Sequence, residues 1–320
     1  MVRVAADRCI RCGACASLAP GVFDVSRLRA RVTREPETDA ERAASHAAAL
    51  VCPTQAIEAP AVFAAPSAAP VFAALFAEAE RVRWRMEDLP FAAVDQSVVT
   101  PAQRQLVREA AFSELTTTSA TKKFLDDFAD DVDLTRWISV WFYEETKHPH
   151  ALLEWLAQFG ESVDDAWHRK GRATAPFMKS RTGTLVTNII SELVASASYL
   201  AMARTASEPV LRAIGERLGG DEARHAASFF AFARRHIARA ADPDTERRDA
   251  LKVLYMWFSS NALVSHPVNE FYGRTDAQTE VAAIRAEMPR DRIFRAIGAL
   301  CDLPLDGDTD LVALMQRRLR

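Results

Sequence analysis

The tetrapeptide Glu-x-x-His occurs twice in this chain, as Glu145-Thr146-Lys147-His148 and Glu222-Ala223-Arg224-His225, and each copy has an upstream partner in a repeated context. Ser113-Glu114-Leu115 lies 31 residues before Glu145, and Ser191-Glu192-Leu193 lies 30 before Glu222. Residues three apart share a helix face, so each Glu-x-x-His aims a carboxylate and an imidazole at a common point. In an antiparallel hairpin, positions equidistant from the turn lie level. The midpoint of 114 and 145 falls in the acidic break Asp126-Asp127-Phe128-Ala129-Asp130-Asp131. That of 192 and 222 falls at Ser207, a suitable N-cap with Pro209 in the next helix's first turn. Four carboxylates and two imidazoles are therefore predicted to point into one helical core.

Burying four unpaired carboxylates is prohibitively costly, so such a core requires compensating cations. One Glu from each of two helices plus Glu-x-x-His from the other two is the ligand set of carboxylate-bridged di-iron or di-manganese bundles. The expected metal ligands, and with them the catalytic centre, are Glu114, Glu145, His148, Glu192, Glu222 and His225. Glu109 competes for the first place, but the Ser-Glu-Leu repeat favours Glu114. Glu144 and Asp221 each precede a motif; each is either an acceptor for a ligand imidazole's second N–H or a solvated helix residue. Trp141 and Tyr199 share their ligands' faces and are expected to pack in the core, with lining of a substrate pocket the alternative. Thr117 and Thr118 are expected to bond backbone one turn earlier. His150 and His266 are read as structural.

The N-terminal segment carries a second constellation. Cys9-Ile10-Arg11-Cys12-Gly13-Ala14-Cys15 places three thiols at a spacing of three, and Cys52-Pro53 supplies a distant fourth. Three ligands on one loop plus a solitary cysteine before proline fits an iron–sulfur cubane. Zinc is the alternative, but zinc sites usually pair two Cys-x-x-Cys knuckles. Gly13 suits a backbone that wraps closely around sulfur. Cys301 stands apart as an expected core residue.

On these residues two resemblances follow. Asp7 to Val25 (DRCIRCGACASLAPGVFDV) and Val51 to Ile57 (VCPTQAI) resemble a single-cluster bacterial ferredoxin. Two-cluster relatives carry a further cysteine where Ala19 stands here, so the resemblance implies one 4Fe–4S cluster, bound by Cys9, Cys12, Cys15 and Cys52. Residues 137–230 resemble the ferritin-like superfamily, most closely its soluble acyl-carrier-protein desaturase branch, through Trp141 to His148 (WFYEETKH), Leu152 to Gly160 (LLEWLAQFG) and Asp221 to His225 (DEARH). That branch implies oxidation of an acyl chain by dioxygen at a di-iron centre fed by ferredoxin. Ala195 departs from it, standing where such desaturases usually have threonine.

The expected fold is mainly α. A small α+β ferredoxin-like domain (1–60) and an Ala/Pro-rich connector (61–71; APAVFAAPSAAP over 59–70) precede an all-α ferritin-like bundle (72–320). Helices are predicted at roughly 72–87, 102–129, 134–159, 183–205, 208–240, 244–263 and 278–318.

The expected activity is that of a dioxygen-dependent di-iron oxidoreductase, a desaturase or monooxygenase. It draws electrons from its own 4Fe–4S domain and oxidises a small organic or carrier-bound acyl or aminoacyl substrate. Manganese is an alternative metal, an N-oxygenase or rubrerythrin-like peroxidase an alternative enzyme, and an iron-storage or iron-sensing ferritin relative the non-enzyme alternative. No Gly-x-Gly-x-x-Gly follows a strand, so a separate ferredoxin reductase is expected as partner. Forty Lys+Arg against 43 Asp+Glu leave a net charge of −3, which disfavours a nucleic-acid partner. No uninterrupted apolar run has spanning length, and no apolar signal segment opens the chain, so no membrane partner and a cytoplasmic location are expected. A homodimer is compatible with these features. An acidic carrier protein would need a basic docking face, expected at Arg169, Lys170, Arg172, Lys179 and Arg181 or at Arg234, Arg235, Arg239, Arg247 and Arg248.

Overall fold

A computed structural model describes residues 1–25, 29–61, 71–172, 179–260, 262–263, 266–274 and 278–318. The N-terminal unit comprises β1 (Arg3–Val4), α1 (Ala14–Leu18), β2 (Phe23–Val25), β3 (Ala30–Val32), α2 (Asp39–Val51) and β4 (Ile57–Glu58). β1 pairs antiparallel with β4, Val4 opposite Ile57, and β2 with β3, Asp24 opposite Arg31. Thr38 opens α2 with a capping box: its hydroxyl accepts from Glu41 N at 3.1 Å while the Glu41 carboxylate accepts from Thr38 N at 3.2 Å. Val22, Phe23, Val25, Ala48 and Ile57 form a small core with Cys15 and Cys52.

The remainder is helical: α3 (Phe72–Val82), α4 (Pro101–Glu114), α5 (Thr117–Asp127), α6 (Val132–Ala157), α7 (Asp165–Gly171), α8 (Arg181–Thr205), α9 (Pro209–Arg239), α10 (Pro243–Phe258), α11 (Pro267–Arg274), α12 (Gln278–Ala286), α13 (Arg290–Leu300) and α14 (Leu311–Arg318). The protein is thus mainly α, a small α+β unit followed by a helical bundle. Proline at the first helical position, behind a side chain that caps the free amides, starts α4 (Thr100), α9 (Glu208) and α10 (Asp242). The α9 cap is therefore Glu208, not Ser207. Its carboxylate accepts from Val210 N and Leu211 N at 3.1 and 2.7 Å and from Trp155 Nε1 at 2.9 Å.

Three further expectations change. The helix predicted over 102–129 breaks at Leu115–Thr116, where the backbone shifts to i→i−3 bonds directly after Glu114. The helix predicted over 278–318 is three, and α7 and α11 are additional. The connector over 61–71 lies outside the described residues except for Ala61 and Val71.

α8 and α9 pack closely because α9 offers glycines to its neighbour. A Cβ on Gly215 would stand 2.8 Å from the Tyr199 carbonyl, and one on Gly219 2.8 Å from Leu200 Cγ. α8 is long and apolar enough to cross a bilayer by composition, but it is mostly buried within the protein and carries Glu192 at its middle. Ala14, Ala47 and Val51 of the N-terminal unit join the main helical core, so the two units share buried surface. Cys301 is buried at the end of α13, its thiol 3.5 Å from the Arg247 carbonyl.

Candidate functional site

Four helices bring the six carboxylate and imidazole side chains together: Glu114 ends α4, Glu145 and His148 lie on α6, Glu192 on α8, and Glu222 and His225 on α9. Glu145, His148, Glu192, Glu222 and His225 are buried, and Glu114 lies at the edge. They form two donor sets. Around His148 Nδ1 stand Glu222 Oε1 at 3.3 Å, Glu114 Oε2 at 3.5 Å and Glu145 Oε2 at 4.0 Å. Around His225 Nδ1 stand Glu145 Oε1 at 2.9 Å, Glu222 Oε2 at 3.0 Å and Glu192 Oε2 at 3.7 Å. Glu145 and Glu222 belong to both sets; Glu114 and Glu192 to one each. Glu109 instead accepts from Gln105 Nε2 at 2.9 Å and joins neither.

The surrounding groups fix these donors. His148 Nε2 lies 3.3 Å from Asp221 Oδ2, and His225 Nε2 3.1 Å from Glu144 Oε2. The residue preceding each motif thus holds the other motif's imidazole, leaving both Nδ1 atoms facing the carboxylates. Thr117 donates to Glu145 Oε2 at 2.9 Å, rather than to backbone, and Trp141 Nε1 donates to Glu192 Oε1 at 3.2 Å. The Tyr199 hydroxyl donates to Glu114 Oε1. Trp84 Nε1 donates to Asp221 Oδ2 at 2.8 Å, and the Lys147 ammonium stands 3.7 Å from the same oxygen and over the Trp84 ring.

This crowding shifts the protonation equilibria of the buried groups. Burial and the Glu222 carboxylate push Glu145 up to about 7. Burial and the same neighbour raise Glu192 well above the carboxylate range. For both imidazoles burial disfavours the charged form, but the facing carboxylates outweigh it and raise their pKa well above the usual value. His148 Nδ1 is buried without a well-directed hydrogen bond. Oxygen-rich sets with one imidazole each, and a buried ring nitrogen lacking a bond, fit a pair of divalent cations.

The four N-terminal cysteines line a second cavity of about 340 Å³ with Gly13 and Pro53. Arg11, Gly13 and Gln55 adopt left-handed φ of 61°, 84° and 50°, which curls the loop around this space. Gly13 also faces Glu78 of α3, whose Oε1 would lie 2.3 Å from an added Cβ. Backbone amides point at sulfur: Ala30 N donates to Cys9 Sγ at 3.3 Å and Ala56 N to Cys52 Sγ at 3.2 Å. Burial and neighbouring cysteines push the Cys12 thiol up to about 12, so only a bound cation would hold that sulfur as a thiolate at neutral pH.

Two buried arginines join this nest to the bundle. Arg224 Nη1 donates to the Cys12 carbonyl at 3.1 Å, and its Nη2 reaches Asp221 Oδ1 at 2.6 Å and Glu144 Oε1 at 2.9 Å. Arg292 donates to the carbonyls of Cys52 (3.1 Å) and Leu193 (3.0 Å), and burial lowers its pKa to about 10. Sequence reasoning passed over Arg224, Arg292, Lys147 and Trp84. Arg224 and Lys147 sit inside the motifs, yet Cys12 and Glu144 for Arg224, and Trp84 and Asp221 for Lys147, are distant in sequence.

The expected basic docking face loses one member. Arg235 is buried and pairs with Asp131 at 2.5 Å and with Asp133, tying α9 to the start of α6. The phase of α9 carried the signal: 221, 225, 228, 232 and 235 fall on its inward face.

Residues 4–59 match the model of the 4Fe-4S single cluster domain of ferredoxin I. No curated protein and no solved structure matches the chain. The N-terminus is a single-cluster 4Fe–4S ferredoxin-type domain, which supports an electron-transfer role, followed by a helical region with a buried acidic and histidine cluster able to hold metal.

Proposed function

We propose that the protein is an oxygen-activating non-haem di-iron oxidoreductase, a desaturase or monooxygenase of ferritin-like type, supplied with electrons by its own 4Fe–4S domain. The observation that carries this reading is the pair of buried carboxylate–imidazole sets sharing Glu145 and Glu222, with Arg224, between Glu222 and His225, touching the cysteine nest. Iron bound there supplies two-electron chemistry with dioxygen strong enough to attack a C–H bond.

The chain's own groups fit that task. Glu145 and Glu222, common to both sets, would help to hold both cations; Glu114 with His148, and Glu192 with His225, would complete one position each. Two divalent cations would offset the four carboxylates, while the charges of Arg224 and Lys147 offset those of Glu144 and Asp221. Glu144 and Asp221 hold the Nε2 protons, so Nδ1 is left as the ligand atom. Tyr199 and Thr117 orient Glu114 and Glu145.

Beside Glu114 an apolar cavity of about 460 Å³ opens between α4 and α8, bounded by Leu106, Ala195, Met202, Phe271 and Ile284. Glu114 and Tyr199 form part of its wall. An organic substrate with an apolar body fits such a wall, its reacting carbon held beside the Glu114 end of the site and away from bulk water.

The test is anaerobic reduction of the iron-loaded protein followed by a measured pulse of dioxygen. Consumption in fixed ratio to bound iron is expected; unlimited uptake with growth of ferric mineral would replace this reading with iron storage.

A further inference from the structure

The contact between the cysteine nest and the bundle is organised around one side chain. α9 passes so close to the cluster loop that a Cβ on Gly220 would touch Cys12 Cβ at 3.6 Å. One turn on, Arg224 is 5% exposed, and its guanidinium meets three partners besides the Gly220 carbonyl of its own helix. Nη1 donates to the Cys12 carbonyl at 3.1 Å; Nη2 donates to Asp221 Oδ1 at 2.6 Å and Glu144 Oε1 at 2.9 Å. The remaining oxygen of each carboxylate faces an imidazole Nε2, His148 from Asp221 at 3.3 Å and His225 from Glu144 at 3.1 Å. One arginine therefore links the backbone of a cysteine to both histidines of the metal-capable site, through two branches of matching length.

Arg224 Nη1 also lies 3.4 Å from the Gly220 carbonyl of its own helix, so a local bond was at hand without the reach to Cys12. A planar fork suits the task because it bonds several acceptors in fixed directions, where an ammonium is a point charge.

We propose that Arg224 is the positioning residue that couples the iron–sulfur domain to the metal pair. It holds the Cys12 loop in register with both imidazoles and places a fixed positive charge beside the cluster. This rests on the di-iron reading above. Each event moves one electron: the reduced cluster loses it, a ferric ion at His148 or His225 gains it, and no bond between heavy atoms changes. An external low-potential one-electron donor, such as a reduced flavoprotein, restores the cluster, and two events bring both ions to the ferrous state. A buried cation favours the more negative, reduced form of the cluster, so its removal moves the midpoint potential downward.

The experiment compares wild type, Arg224→Gln and Arg224→Lys. The first readout is the cluster midpoint potential, from an EPR-monitored redox titration of protein carrying its cluster but no iron pair. The second is the rate at which a photoreduced cluster is reoxidised anaerobically in protein also loaded with ferric iron. Arg224→Gln is expected to lower the reduction equilibrium at least tenfold, which is about 59 mV for one electron, and to slow reoxidation more than tenfold. Arg224→Lys is expected to keep a near wild-type potential yet remain slow, because it restores charge without the fork. That split is one a purely structural residue would not produce. Wild-type potential and rate in Arg224→Gln would overturn the proposal while leaving the di-iron reading intact. If Arg224→Gln fails to assemble, a wild-type rate in Arg224→Lys overturns it equally. Failure of the wild-type loaded site to reoxidise its cluster would sink the di-iron reading instead, whatever Arg224 does to the potential.

Discussion

Replacing Glu145 with glutamine should have opposite effects on the metal-free and the metal-loaded protein. Glu145 is 4% exposed, and burial together with the Glu222 carboxylate raises its pKa from 4.5 to about 7. In metal-free protein the folded state therefore binds a proton that the unfolded chain releases between those values. Stability present at low pH is lost as pH climbs through that window. The shift corresponds to about 3 kcal/mol above pH 8, at roughly 1.4 kcal/mol per unit. Glutamine keeps the shape and the acceptor for Thr117 but not the charge. Metal-free Glu145→Gln should thus melt about 6 °C higher than wild type at pH 8, taking roughly 2 °C per kcal/mol for a domain of this size. The gain should vanish near pH 5, where wild-type Glu145 is itself protonated. On adding ferrous iron the order should reverse, because glutamine cannot supply a bridging carboxylate and the stabilisation from binding is lost. Differential scanning calorimetry at both pH values, with and without iron, reads all four corners. A lower melting temperature for the metal-free variant at pH 8, or a gain independent of pH, would refute the reasoning that these carboxylates crowd for a ligand's sake.

Three other outcomes follow from the same geometry. Glu114→Ala and Glu192→Ala each remove a donor from one set only, so each should weaken one metal position about 100-fold, taking roughly a quarter of a four-ligand binding energy of about 12 kcal/mol, and bring iron per site from two towards one. Glu222→Ala should lose both, and metal analysis of the dialysed proteins separates the cases. Cys12→Ala should abolish the brown chromophore and its EPR signal while the bundle still loads iron, and turnover with a reductase as donor should cease; normal turnover would exclude the tethered domain as donor. Gly219→Ala should cost about 1–3 kcal/mol by forcing a methyl against Leu200 and the Ser196 carbonyl, read as a lower denaturation midpoint with unchanged cluster absorbance.

The long helices were legible because their signals are local. The apolar period, with capping side chains and first-turn prolines, marks α6, α8 and α9 to within two residues. The level-height argument sets Glu114 level with Glu145 and Glu192 level with Glu222, and each pair does share a donor set, because hairpin geometry follows from counting residues. The break after Glu114 was not legible: Leu115-Thr116-Thr117-Thr118 contains neither glycine nor proline, and its shift to i→i−3 bonds answers to packing around the site. Nor was the crossed pairing of Glu144 and Asp221. A residue's place before its own motif points to the histidine four positions on, whereas only the crossing of α6 with α9 decides which imidazole it meets. Arg234 and Arg235 look alike in sequence, but the rotation of a single residue along α9 sends Arg235 into a buried pair with Asp131 and Asp133.

The crossed pairing has a mechanical consequence. Were Glu144 to hold His148 and Asp221 to hold His225, each Glu-x-x-His would be braced by its own helix, and α6 and α9 could shift against each other without disturbing either imidazole. Because each brace comes from the opposite helix, any slide of α6 along α9 strains both Nε2 contacts together. Arg224 joins the two braces at their other oxygens, and its third bond extends the frame to Cys12. The separation of the two donor sets and the seat of the cysteine loop are thereby fixed by one closed network. A buried polar network is worth its desolvation only when every member is satisfied, and here bound metal cations would complete it. The apo bundle should accordingly be the looser state. Hydrogen exchange of the α6 and α9 amides around 144–148 and 221–225 should slow on iron loading in wild type and slow much less in Glu144→Ala; equal protection in the two proteins would show that helix packing alone, not the crossed braces, sets the geometry.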